Sequence, residues 1–164
     1  LGDASRECEA LSEWTLEKAL NLAVTMEEQS IQLYSSAQDK VLSPGSKKTL
    51  EELVKQEEAH RRNLLEALRS PQKIREIGSF SAKLPDLKIV DGLDRLTLSP
   101  ETGYQGILIY AAKRELETHD LYIDLAKRFR GKEIGSMFTR LAAEELKHKY
   151  ELEKEYDDIV LKEM

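Results

Sequence analysis

The chain has 164 residues and a net charge of −6, with 34% charged and only 6% aromatic residues. That is enough for one domain with a real core and a charged, solvated exterior. No basic block could neutralise phosphates, which argues against nucleic acid as a partner. No apolar run approaches the roughly 18–20 residues of a membrane span, and no signal-peptide pattern opens the chain. A lone Cys8 excludes an intrachain disulfide and a Cys-x-x-Cys metal site, and it is compatible with a reducing cytoplasm. The first residue is Leu1 rather than Met, which leaves room for residues before it.

Four helices are predicted in chain order. Helix A spans about Glu13 to Lys40, with Ser12 as its N-cap. Its inward stripe reads Leu16, Leu20, Ala23, Glu27, Ser30, Tyr34, Ala37, in steps of four and three. Ser43-Pro44-Gly45 reads as a turn, and helix B follows from about Ser46 to Arg69, stopping at Ser70-Pro71. Its stripe is Leu50, Leu53, Glu57, His60, Leu64, Ala67. The segment 70–99 is broken by Pro71, Gly78, Pro85 and Gly92 and has room for one short helix near 72–77. Ser99-Pro100-Glu101 reads as the start of helix C, with Ser as N-cap, Pro at the first helical position and an acid in the first turn. Helix C runs to about Phe129, with Ile107, Ala111, Glu115, Thr118, Tyr122 and Leu125 inward. Gly131 marks a turn. Helix D covers about Lys132 to Ile159, with Phe138, Leu141, Glu145, His148, Leu152 and Tyr156 inward.

Connection lengths select the topology. The A–B and C–D links are short, so each pair is an antiparallel hairpin, over about 13–69 and 100–159. Helices near 25 residues are roughly 37 Å long. The 70–99 link can travel that distance at up to roughly 3.3 Å per residue. One long crossover between two short-linked hairpins is the ferritin-like variant of the all-α antiparallel four-helix bundle. The expectation is a single domain over 1–164.

Acids and imidazoles occupy positions where Leu belongs. Glu57 and His60 are three apart on one helical face, and Glu145 and His148 repeat the pair. Glu27 precedes Glu57 as Glu115 precedes Glu145, and Tyr34 and Tyr122 follow them at equal intervals. One shift of 88 residues relates 27 to 115, 34 to 122, 57 to 145 and 60 to 148. It also relates Ala23 to Ala111, Ser30 to Thr118, Leu33 to Leu121, Leu53 to Leu141 and Leu64 to Leu152. A common shift over so many positions is the mark of an internal repeat, here a helical hairpin used twice. Four buried carboxylates without partners are severely unfavourable. Two divalent cations would balance them, and oxygen-rich ligands with one nitrogen per ion suit iron or manganese better than tetrahedral zinc.

These residues resemble the rubrerythrin and ferritin-like di-iron carboxylate family, over about 13–69 and 100–159. That family's constellation is a Glu from each of two helices and a Glu-x-x-His from each of the other two. The resemblance implies Glu27, Glu57, His60, Glu115, Glu145 and His148 as six ligands to two iron ions, with manganese or a mixed pair as alternatives. Glu57 and Glu145 are the candidates to bridge, and Tyr34 and Tyr122 match the family's inward tyrosines. Each phenol leans towards the N-terminus of its helix and so towards the cluster. The sequence departs from rubrerythrins proper in two ways. No four-cysteine rubredoxin site lies within 1–164, and the glutamate expected three residues after the helix C ligand is Thr118. His119 takes the place of Ile31 in the repeat, facing inward or to a helix seam, and is a candidate extra ligand or proton donor. Gln56 and Glu144, four residues before the two histidines, are candidates to orient them.

The implied function is a cytoplasmic di-metal oxidoreductase that reacts with hydrogen peroxide or dioxygen and draws electrons from an external donor. It would have no nucleic-acid or membrane partner, and a homodimer is compatible with the fold. Two alternatives stand beside it. One is a ferroxidase or iron-handling protein, and the other a metal-stabilised helical scaffold that binds a partner.

Overall fold

The computed structural model describes residues 16–70, 99 and 101–164. Four helices account for nearly all of them: α1 Leu16–Gln38, α2 Pro44–Arg69, α3 Tyr104–Arg128 and α4 Glu133–Glu163. No strand occurs among the described residues. The expected start of the first helix with its Ser12 cap, Pro100, and the interior of the crossover with its short helix near 72–77 lie outside the described residues.

The inward stripes read from the sequence are the buried faces, except that Leu16 at the start of α1 is half-buried against the core. Leu20, Ala23, Glu27, Ser30, Tyr34 and Ala37 are buried on α1, and Leu50, Leu53, Glu57, His60, Leu64 and Ala67 on α2. All six inward residues of α3 are buried, as are those of α4 except Tyr156, which is half-buried.

Helix ends differ from expectation in ways local chemistry explains. Helix α2 begins at Pro44, not Ser46: Ser43 is the extended cap residue and its carbonyl accepts the Lys47 N–H at 3.0 Å. Proline suits this first position because its missing N–H would have had no partner there. At the other end Ser70 is extended (φ −147, ψ 116), as the residue before a proline is pushed to be. Helix α3 begins at Tyr104, not Pro100. The Ser99 N–H donates to Thr102 Oγ1 at 2.9 Å, and the Thr102 N–H donates to the Ser99 carbonyl at 3.0 Å. This closes a separate turn. The Lys40 ammonium donates to the carbonyls of Ser99 and Thr102 at 3.3 and 3.4 Å, tying the turn to the end of α1. Gly103, extended at ψ 171, then caps α3. Helix α1 stops at Gln38, two residues early, and α4 continues to Glu163, four residues beyond Ile159.

Two apolar clusters give the direction of each helix. Leu20 and Val24 early in α1 pack with Leu64 and Ala67 late in α2, Leu125 late in α3, and Ile134 and Phe138 early in α4. Tyr34 and Ala37 late in α1 pack with Leu50 and Leu53 early in α2, Ile107 and Leu108 early in α3, and Leu152 late in α4. Helices α1 and α4 therefore run one way, α2 and α3 the other. Helix α2 ends and α3 begins at opposite ends of the bundle. The hairpins α1–α2 and α3–α4 pack closely, and α1 meets α3 as α2 meets α4. This is the ferritin-like four-helix arrangement.

The α3–α4 turn depends on two glycines. Gly131 sits at φ 79, a left-handed conformation that strains other residues. Gly135 lies where the helices come closest. A Cβ there would be well inside contact distance of the Phe129 carbonyl oxygen and 3.0 Å from its carbon. Gly135→Ala is expected to destabilise the fold by about 1–3 kcal/mol, the usual penalty for forced overpacking. Gly45→Ala meets only ordinary contact, with Ser43 Oγ 3.7 Å away, and should stabilise by roughly 0.5 kcal/mol through helix propensity. Urea unfolding of both variants with chelator present measures the pair; equal shifts would contradict the close approach at Gly135.

Candidate metal centre

Glu27, Glu57, His60, Glu115, Glu145 and His148 meet at one level, with one apolar cluster on each side. All are buried, and His60 alone exceeds 1% exposure, at 7%. Each helix contributes through its 3.6-residue period. A Glu at an inward position is followed one turn later, on α2 and α4, by a His on the same face.

The arrangement consists of two overlapping groups: Glu27, Glu57, His60 and Glu145 in one, Glu57, Glu115, Glu145 and His148 in the other. Within each, one ligating atom per residue lies within 4.8 Å of all the rest. His60 Nδ1 is 3.1 Å from Glu57, 3.2 Å from Glu145 and 3.6 Å from Glu27. His148 Nδ1 is 3.1 Å from Glu57, 3.4 Å from Glu145 and 3.7 Å from Glu115. Glu57 and Glu145 thus belong to both halves, Glu27 and Glu115 to one each. The two imidazoles stack with centroids 5.3 Å apart.

The tyrosines tie each hairpin to the other's acid. The Tyr34 phenol donates to Glu115 Oε1, and the Tyr122 phenol donates to Glu27 Oε1 at 2.5 Å. Ser30 Oγ donates to the Met26 carbonyl at 3.2 Å and Thr118 Oγ1 to the Arg114 carbonyl at 3.0 Å. These two bonds are related by the same shift of 88, so the repeat extends to side-chain hydrogen bonding.

Other residues depart from that symmetry. Gln56 Oε1 accepts the Nε2–H of His148 at 2.8 Å, reaching from α2 to the opposite hairpin. Sequence spacing pointed to the histidine of its own helix, because a linear pattern does not show which helices face each other. With Nε2–H committed to Gln56, Nδ1 is the nitrogen turned to the carboxylates, the standard way an outer partner fixes a ligating histidine. His119 is half-buried, outside both groups. Its Nδ1–H donates to the Ala142 carbonyl at 2.8 Å, which places it on the α3–α4 seam.

Three buried charges escaped the sequence reading. The Arg114 guanidinium reaches Ser30 Oγ at 3.3 Å, the Met26 carbonyl at 3.0 Å and Gln29 Oε1 at 3.0 Å, bridging α3 to α1. Lys149 and Glu153 form a fully buried pair at 2.8 Å. Their i,i+4 spacing on the side of α4 next to His148 was the available signal.

The donor set fits divalent cations. Glu57 Oε2, His60 Nδ1, Glu115 Oε2 and Glu145 Oε1 are buried without an aligned hydrogen bond, although oxygens and nitrogens crowd them at 3.1–3.7 Å. Hydrogen bonding among the protein groups leaves these atoms unsatisfied, and each offers a lone pair to a cation once any proton it carries is displaced. Protons do part of the balancing when the protein groups act alone. Burial, with Glu27 and Glu115 nearby, raises Glu57 to about 7 against the pull of His148. Burial and then Glu57 hold Glu145 well above the carboxylate range. Burial also opposes ionisation of Glu115 and Glu27, but contacts with Glu145 and His148 hold Glu115 near 2, and His60 keeps Glu27 below its ordinary value. Burial would discharge the imidazoles, yet the surrounding carboxylates raise both well above the usual histidine value. Below about pH 7 these shifts favour protonated Glu57 and Glu145, ionised Glu27 and Glu115 and charged imidazoles, so the groups offset one another.

A cation must displace those protons. Below pH 7, loading two divalent ions is expected to release about four protons, and apparent affinity should rise from pH 6 to pH 8 as Glu57 ionises. Calorimetric titration with Co²⁺ in buffers of different ionisation enthalpy counts the protons. Zero release at pH 6.5 would contradict this charge state.

The Rubrerythrin family model matches residues 18–86. No curated protein and no solved structure gives a significant match. The matched stretch contains Glu27, Tyr34, Glu57 and His60, and the hairpin beyond it carries their counterparts at the common shift of 88. The chain thus carries a Rubrerythrin-family domain match over 18–86, consistent with the rubrerythrin and ferritin-like di-iron proteins that its buried carboxylate–histidine cluster resembles.

Proposed function

We propose that the chain is a non-haem di-iron oxidoreductase that reduces hydrogen peroxide or dioxygen with electrons from an external donor. The observation that carries this reading is the pair of overlapping four-residue groups sharing Glu57 and Glu145. Glu27 and His60 would complete one ion's shell, Glu115 and His148 the other's. An ion pair held there in the ferrous state would supply the two electrons that, with two protons, reduce hydrogen peroxide to two waters. The protein's own contribution is positioning and charge. Tyr34 and Tyr122 hold the outer carboxylates by their phenol protons. The apolar clusters on either side lower the local dielectric, which strengthens the charge interactions between them. No helix among the described residues is long and apolar enough to cross a membrane.

The test is anaerobic loading with two ferrous equivalents per chain, then stopped-flow absorbance on mixing with peroxide and, separately, dioxygen. Fast ferric formation that an added reductant reverses supports the oxidoreductase. Uptake far beyond two irons per chain would favour iron handling, and a filled site inert to both oxidants would leave a structural scaffold. Glu57→Ala or Glu145→Ala should lose at least one ion and slow the reaction by more than the roughly 10–100-fold typical of losing an outer partner.

His119→Leu is expected to leave the peroxide rate within about twofold. It should destabilise by about 1 kcal/mol, the net worth of the one hydrogen bond to Ala142. A tenfold slower peroxide reaction would instead make His119 part of the chemistry.

A further inference from the structure

The two halves of the cluster are related by the repeat but meet solvent differently. A cavity of about 310 Å³ opens on the α2–α4 seam, lined by Gln56, Ala59, His60, Asn63, Glu144 and Lys147 among others. His60 is thus the one cluster residue on its wall. His148 is fully buried and does not line the cavity, whereas Gln56, whose Oε1 is 2.8 Å from His148 Nε2, does. The repeat counterpart of Gln56 is Glu144, which lies on the same cavity wall. A second hollow of about 460 Å³ on the α1–α3 seam is lined by Gln29, Ser36, Tyr110 and Arg114 among others, and by none of the six cluster residues.

We propose that the α2–α4 cavity is the mouth of the metal centre and that the two metal positions are kinetically inequivalent. The His60 position exchanges its ion and meets small solutes through the mouth. The His148 position is closed off by Gln56. Gln56 is a positioning residue that acts through His148: its side-chain oxygen fixes the imidazole and its bulk fills the path. The proposal rests on the di-metal reading and adds to it which half is open and what closes the other.

Release kinetics separate the two halves without reference to turnover. The full chain is loaded with two equivalents of Co²⁺ and mixed with excess chromophoric chelator. Two phases of one ion each are expected, differing at least about tenfold in rate. Asn63→Trp, and as a smaller plug Ala59→Leu, should slow the fast phase about tenfold and leave the slow phase unchanged. Ser36→Trp, in the α1–α3 hollow, should change neither phase. Gln56→Ala should accelerate the slow phase several-fold, an effect that a generally loosened fold would show in both phases. Circular dichroism and thermal unfolding confirm that each variant is folded. A single phase for both ions in the wild type overturns the inequivalence. A fast phase indifferent to both plugs, or slowed equally by Ser36→Trp, overturns the mouth. Binding of fewer than two ions overturns the di-metal reading and this inference together, and stoichiometry distinguishes that case from the others.

Discussion

Six ionisable side chains held at one level between two apolar clusters are the constraint on which the rest of the structure depends. Four carboxyls in a buried bundle centre repel one another when ionised, and each loses hydration. Isolated, such a layer would open the bundle. It persists because every acid is within reach of an imidazole: Glu57 and Glu145 lie beside both histidines, Glu27 beside His60 and Glu115 beside His148. The same crowding leaves four polar atoms without aligned hydrogen bonds. A layer that is nearly but not fully satisfied by its own groups is suited to accept cations.

The layer also joins the two hairpins. The phenol on α1 bonds the acid on α3, and the phenol on α3 bonds the acid on α1. Gln56 on α2 bonds His148 on α4, and Arg114 on α3 reaches three acceptors on α1. The two apolar clusters also span both hairpins, and these polar links add directional contacts at the level between them. Low local dielectric makes such links strong when they are complete and expensive when one partner is removed. Near the bundle end, Glu155 of α4 accepts from Ser46 at 2.5 Å and from Tyr104 at 3.2 Å, gathering the starts of α2 and α3 onto α4.

Repetition accounts for the symmetric part of the centre, and departures from repetition account for its directionality. The Glu, Tyr, Ser/Thr and Glu-x-x-His positions obey one shift and perform matching tasks in both halves. Gln56 against Glu144, Arg114 against Met26 and His119 against Ile31 do not match. Each mismatch lies beside the cluster rather than in it. Two like halves can hold a pair of ions, whereas an unlike surround decides how each half meets solvent.

Much of this was legible in the chain. Apolar periodicity located four helices and their buried faces, since a 3.6-residue period with Glu in place of Leu survives any packing of the helices. The shift of 88 brought the six cluster residues into one constellation, because a duplicated hairpin must place equivalent residues at equivalent heights. Helix ends were less legible. Pro44 begins a helix where a turn was expected, and the Ser99–Thr102 turn, closed by its own hydrogen bonds and contacted by Lys40, precedes α3, which starts at Tyr104. Only tertiary structure could decide which Tyr meets which Glu, that Gln56 serves the histidine of the other hairpin, and that His119 turns to Ala142. These depend on the azimuth at which one helix faces another. A linear pattern specifies which side of a helix is buried, but the neighbour against which that side rests is settled by the packing of all four.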